Sequence, residues 1–124
     1  MRVTVTTSDA PTAIGPYSQA VKHSGLLWCS GQLGIGATGE FVADDTAKQA
    51  RQALHNLEAI CSEAGTSLGK ALRLTIYLVD LADFQAVNAV YAEFFEAPYP
   101  ARATVQVAAL PKGGRVEIDA VVAL

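Results

Sequence analysis

One long amphipathic segment, residues 44–64, constrains the fold more than any other feature of the chain. Ala50, Ala53, Leu54, Leu57, Ile60, Cys61 and Ala64 recur at helical spacing and form one apolar stripe. Lys48, Arg51, Gln52, Glu58 and Glu63 occupy the remainder of the helix surface. Thr46 and Gln49 have the spacing of a capping box, and Gly65 stands where a left-handed residue closes a helix. A helix with one apolar stripe must lay it on a broad apolar surface, and the rest of the chain supplies strands. Residues 2–7, 18–23, 26–30, 71–79, 102–108 and 115–123 alternate or are rich in β-forming side chains. Ser24-Gly25 suits a tight hairpin between the second and third of these. Residues 9–17, with Pro11, Gly15 and Pro16, and residues 31–39, with four glycines, read as loops. A second helix is expected from Leu81 to about Glu96. Asp80 caps it, Phe84, Val87, Val90, Tyr91, Phe94 and Phe95 form its stripe, and Pro98 and Pro100 stop it.

The resulting order is βββαβαββ. Two helices are too few to cover both faces of such a sheet. The expected class is therefore α+β: a two-layer domain spanning residues 1–124, with a mixed six-stranded sheet and both helices on one face. Val105, Val107, Val116, Ile118, Val121 and Val122 are candidates for the uncovered face. Composition makes that face matter: 51% of the residues are hydrophobic and only 17% charged, which is apolar for so small a chain. Burial between subunits is the expected remedy.

Charge and motif content exclude several function classes. The net charge is −3 with no run of Lys or Arg, so the basic footprint of a nucleic-acid binder is missing. The first residues lack the apolar core of a signal peptide, and no apolar stretch approaches the roughly 20 residues of a membrane helix. A cytoplasmic protein is expected. Cys29 and Cys61 read as buried reduced thiols. His23 and His55 have no ligand partners at metal-binding spacing, so no metal is expected. Gly34, Gly36 and Gly39 match a dinucleotide-loop pattern, but the helix begins too late to meet a pyrophosphate. Ser30 lacks an obvious base.

Two residues keep chemical interest. Arg102 opens a strand just after two prolines, where its planar fork suits bidentate capture of a carboxylate. Glu117 lies between Val116 and Ile118, so its side chain points away from theirs. By themselves these residues leave open a surface salt bridge for Arg102 and a solvated strand face for Glu117.

Across nearly its whole length the chain resembles the RidA/YjgF family of small imine deaminases. The resemblance is carried by residues 13–18 (AIGPYS), 30–32 (SGQ), 49–52 (QARQ) with Asn56-Leu57, and Asp83-Phe84 with Val87-Asn88, Tyr91 and Phe94-Phe95. Residues 100–102 (PAR), 110–112 (LPK) and 116–118 (VEI) complete it. The resemblance implies a chorismate-mutase-like fold and a homotrimer with active sites in the clefts between subunits. It implies hydrolysis of the enamines left when serine or threonine is dehydrated, 2-aminoacrylate and its four-carbon homologue, through their imine tautomers 2-iminopropanoate and 2-iminobutanoate, to 2-oxo acids and ammonia, without a cofactor. On this analogy Arg102 binds the substrate carboxylate, Glu117 positions water and moves protons, and Tyr17 lines the pocket. Asn88, Ser30 and Gly31 complete the substrate site. Thr104 stands where many relatives carry cysteine, and its hydroxyl keeps a hydrogen-bonding group there. Two other functions remain: a module that binds 2-oxo acids or amino-acid derivatives without turnover, and an endoribonuclease, against which the acidic charge argues.

Overall fold

The computed structural model describes residues 1–124. Its strands are β1 (Val3–Val5), β2 (Ala20–His23), β3 (Leu26–Leu33), β4 (Ala71–Leu78), β5 (Ala101–Gln106) and β6 (Val116–Ala123). Its helices are α1 (Thr46–Ala64) and α2 (Phe84–Tyr91). The strands form one mixed sheet in the order β1-β2-β3-β6-β4-β5, parallel only between β4 and β5. A parallel pair needs a crossover rather than a hairpin, and α2 provides it. Both β3 and β4 run antiparallel to β6, so α1 is likewise the crossover between two strands of one direction.

Both helices cover the same face. The alternation of β6 decides which side chains go there: Val116, Ile118, Ala120 and Val122 are buried under the helices with Leu74, Ile76 and Leu78 of β4. Leu54, Leu57, Ile60 and Cys61 of α1 complete this core. Glu117, Asp119 and Val121 therefore face the other way. The sequence expectation for the uncovered face thus needs correction. Val116, Ile118 and Val122 belong to the helix-side core, because adjacent residues such as Val121 and Val122 cannot share a face. The open face instead carries Val121, its cross-strand neighbour Trp28, and Val105, with the last two 48% and 41% exposed.

Local chemistry corrects the expected elements in places. Asp45, not Thr46, caps α1, accepting a 2.9 Å bond from the Lys48 amide. Thr46 Oγ1 is used elsewhere: it donates to Asp83 Oδ2 at 2.8 Å and ties the two helix starts together. Gln49 is also diverted, donating to the Ala43 carbonyl and accepting from the Arg115 amide. At the other end Gly65 adopts φ 86°, and the amides of Gly65 and Thr66 close on the carbonyls of Ser62 and Cys61. Ser24 and Gly25, at φ 53° and 78°, form the hairpin. The second helix is shorter than its apolar stripe suggests. It begins as a tight turn at Leu81–Asp83, capped by Asp80, and ends at Tyr91, beyond which Glu93 and Phe94 bond back three residues instead of four.

Cys29 and Cys61 are both buried, on facing elements, and unbridged. A hydrogen bond to Cys61, together with burial, pushes the Cys29 thiol up. His55 is exposed and pairs with Glu58 at 2.9 Å. No helix is long and apolar enough to cross a membrane.

Candidate active site

The glycine-rich stretch after Ser30 does not leave the sheet at once. β3 continues to Leu33 through an irregularity between Cys29 and Gln32, so that Gln32 and Leu33 pair with Ile118 and Glu117. Gly31 therefore lies within a strand, a correction to its reading as loop. The absence of a side chain there has a use. A Cβ on Gly31 would stand 2.6 Å from Glu117 Oε2 and 2.8 Å from Cδ. The Glu117 carboxylate lies across bare strand backbone. Burial, and behind it the charge of Asp119, raises the Glu117 carboxyl above its ordinary range. Asp119 is held by the Tyr77 hydroxyl, which donates to it at 3.0 Å.

Over this carboxylate opens a cleft of about 520 Å³, lined among others by Tyr17, Ser30, Gly31, Lys112 and Glu117. The loop that brings Tyr17 here is clipped down by Gln19. Its amide oxygen accepts from the Thr7 amide at 2.7 Å, and its nitrogen donates to the carbonyls of Thr7 and Pro11 at 3.1 and 2.8 Å. Ser30 is fixed by Oγ donating to the Ser18 carbonyl at 2.6 Å. Its hydroxyl is thus a structural donor. Behind the wall formed by Leu33 and Ile35, the buried Asn56 of α1 donates to the carbonyls of both. Lys112 sits at the rim at φ 58°, a conformation few non-glycine residues adopt.

Arg102, Thr104 and Asn88 form a second group. Register pairs Arg102 with Leu74 and Thr104 with Ile76, which places both on the helix-covered side of the edge strand β5. The Arg102 guanidinium carbon lies 4.8 Å from the centre of the Tyr91 ring and 5.6 Å from that of Phe84. It has no salt bridge: the ion pairs of the chain are Arg51–Glu93, His55–Glu58 and Arg115–Asp44. Asn88 lies on α2 between Phe84 and Tyr91, at helical spacing from each. Thr104 Oγ1 is buried without a hydrogen-bond partner.

The seven site residues read from the sequence thus fall into two groups. Tyr17, Ser30, Gly31 and Glu117 meet in one cleft. Arg102, Thr104 and Asn88 stand on the opposite side of the sheet. A single protomer does not bring the groups together. Lys112, Gln19 and Asn56 are not among the site residues read from the sequence, although Lys112 and Asn56 lie in segments that carry the resemblance. Asn56 left a signal, a polar residue inside the apolar stripe of α1, whereas Gln19 left none, since its partners are distant backbone groups. No group of three or more His, Cys, Asp or Glu side chains is arranged to hold a metal ion.

Residues 7–124 match the family model described as Endoribonuclease L-PSP. The RutC family protein y4sK of Sinorhizobium fredii is 54% identical over 121 residues, 97% of this chain and 96% of that protein. The 2-iminobutanoate/2-iminopropanoate deaminase of Bos taurus is 48% identical over 98% of this chain and 89% of its own. Among solved structures, the Rid family protein YyfA of Yersinia pestis superposes with a TM-score of 0.97, at 42% identity and full coverage of both chains. The crystal structure of E. coli TdcF with bound serine gives 0.92, at 42% identity over 98% of each chain. With a matching family model, curated relatives near half identity and the same six-stranded fold, the chain belongs to the RidA/YjgF family.

Proposed function

We propose that the chain is a hydrolytic deaminase of 2-aminoacrylate-derived imines, and that it works as a homotrimer whose clefts lie between subunits. Each cleft combines the Glu117 group of one protomer with the Arg102 group of its neighbour. The observation that carries this reading is the division of the site by the sheet: a cleft with a raised carboxyl but no carboxylate-binding cation beyond Lys112, and an unpaired arginine on the other side. The names of the mammalian relatives and the serine bound to TdcF support a small substrate bearing an α-carboxylate.

The chemistry needs few groups. Arg102 takes the carboxylate in a two-point grip and fixes C2 of the imine over Glu117. A protonated imine is already a strong electrophile. Water oxygen bonds to C2, the C=N electron pair moves to nitrogen, and the water proton passes to Glu117. The carbinolamine then collapses: Glu117 returns its proton to nitrogen, the C–N bond breaks with its electron pair leaving on ammonia, and the C2 hydroxyl becomes the carbonyl of the 2-oxo acid as its proton passes back to the Glu117 carboxylate and from there to the departing ammonia. A raised carboxyl pKa suits a group that must take and give a proton in turn. The Thr104 hydroxyl, without a partner in its own protomer, supplies a donor toward the substrate.

The test is ammonia release from 2-aminoacrylate generated in situ by a serine dehydratase. Arg102→Ala and Glu117→Gln should each lose the acceleration. Mixing the two inactive variants and reassembling them should restore it in about a quarter of the clefts by random assortment. Failure of the mixture to recover, with mixed trimers demonstrated, would mean that Glu117 and Arg102 do not act together across the subunit boundary. Saturable binding of 2-oxobutanoate with no acceleration by the wild type would favour the binding module, and RNA cleavage that disappears in both variants would favour the endoribonuclease.

A further inference from the structure

Arg102, the proposed carboxylate clamp, has no carboxylate of its own chain to hold it. An arginine side chain left to itself has several rotatable bonds, and a clamp that wanders orients nothing. What contacts the guanidinium instead is aromatic: the ring of Tyr91 at 4.8 Å and that of Phe84 at 5.6 Å. Phe84 and Tyr91 are seven residues apart, two turns along one face of α2, a rise of about 10.5 Å. The guanidinium is thus within cation–π range of both rings. Tyr91 is itself fixed. It is 6% exposed, and its ring stacks on Phe95 with centroids 4.5 Å apart. Its hydroxyl is buried with no hydrogen-bond partner, so the ring, not the phenol, is what the residue offers here.

We infer that Phe84 and Tyr91 are positioning residues: their ring faces form a two-turn aromatic seat that holds the Arg102 guanidinium in place while leaving its N–H fork free for the substrate carboxylate. A carboxylate partner would hold the arginine as firmly but would occupy the same N–H groups and cancel the charge the substrate needs. Ring faces attract the cation through their quadrupole and compete for no hydrogen bond in the plane of the fork. Partial burial strengthens this attraction, because water competes less for the charge. The inference rests on the proposed role of Arg102 as the carboxylate clamp. It assigns α2 a part in catalysis that goes beyond serving as a crossover.

The experiment uses the assembled protein and substitutes Phe84, which is half-buried, rather than Tyr91, which belongs to the core. The Arg102 Nε–Hε resonance is assigned by its loss in Arg102→Lys. In the wild type it should carry an upfield ring-current displacement. Phe84→Leu keeps an apolar side chain of similar size but no ring. The displacement should shrink, 2-oxobutanoate should bind about fivefold more weakly and KM should rise to match, with kcat changed less. Phe84→Tyr should recover the resonance and the affinity. In an Arg102→Ala background, Phe84→Leu should weaken binding no further, as coupled residues require. An unchanged Arg102 resonance in Phe84→Leu overturns the seat. So does a further fivefold loss in the Arg102→Ala background, which would make Phe84 a direct contact. If the wild type releases no ammonia while Phe84→Leu still weakens 2-oxobutanoate binding, the deaminase reading fails and the seat stands. If the wild type deaminates and Phe84→Leu behaves like it, the seat fails and the deaminase stands.

Discussion

Gly31→Ala puts a methyl group where the Glu117 carboxylate now lies, and it should separate catalysis from stability. Gly31 is not among the residues with positive φ, so alanine meets no backbone strain there. Restricting the unfolded chain favours the folded state by about 0.4–1 kcal/mol. Against this stands a collision: the new Cβ would lie 2.6 Å from Oε2 and 2.8 Å from Cδ of Glu117. Carbon atoms pack at about 3.5–4.0 Å, so the carboxylate must withdraw by roughly 1 Å. It sits at the end of a flexible side chain, and bending its torsions costs about 0.5–1.5 kcal/mol. The two effects nearly cancel, and the thermal midpoint should move by only a few degrees. A reacting group displaced by about 1 Å loses about a hundredfold in rate, some 2.7 kcal/mol of transition-state stabilisation. The expected variant is folded, assembled and about a hundredfold lower in kcat/KM, measured by ammonia release beside a calorimetric melt. A kcat/KM within about threefold of the wild type would refute the placement of Glu117 as the proton-transfer group, because the methyl group cannot share its position.

Gly34→Ala should do the opposite. Its Cβ would collide with Cα and Cβ of Gln49, which are parts of α1 and cannot swing away. A loss of about 1–3 kcal/mol is expected, read from the urea midpoint. Asn56→Leu removes the side-chain donor that bridges the Leu33 and Ile35 carbonyls, at 3.2 and 2.8 Å. About 1–3 kcal/mol should be lost, with faster amide exchange around Ile35 than in β4. Asp119→Asn removes the negative charge that, after burial, raises the Glu117 carboxyl. A base works only above its pKa, so the acid limb of the kcat/KM profile should move to lower pH. The move should be partial, since burial is the larger cause, and an unmoved limb would mean that Asp119 does not act on Glu117.

Much of the fold was legible in local pattern. The stripe of α1, the hairpin at Ser24-Gly25 and the helix stop at Gly65 are short-range features, and each follows from spacing or from a left-handed residue. Errors arose where a side chain found a better distant partner. Thr46 and Gln49 have the sequence of a capping box, yet Thr46 bonds Asp83 and Gln49 bonds Ala43 and Arg115. Residues 31–33 look like loop because glycine is a poor strand former, yet β6 supplies the pairing that keeps them in the sheet.

The sequence by itself determined the class of the fold, because helical and strand periodicities are local. It also marked Arg102 and Glu117 through residue type and strand position. What the tertiary structure alone decided is which residues share a face and which can meet. The order β3-β6-β4-β5 sets the register that turns Glu117 to the open side and Arg102 to the helix side. It also sets Phe84 and Tyr91 beside Arg102. Such pairings join residues distant in the chain, and they follow from how strands align after crossovers, which no local pattern encodes.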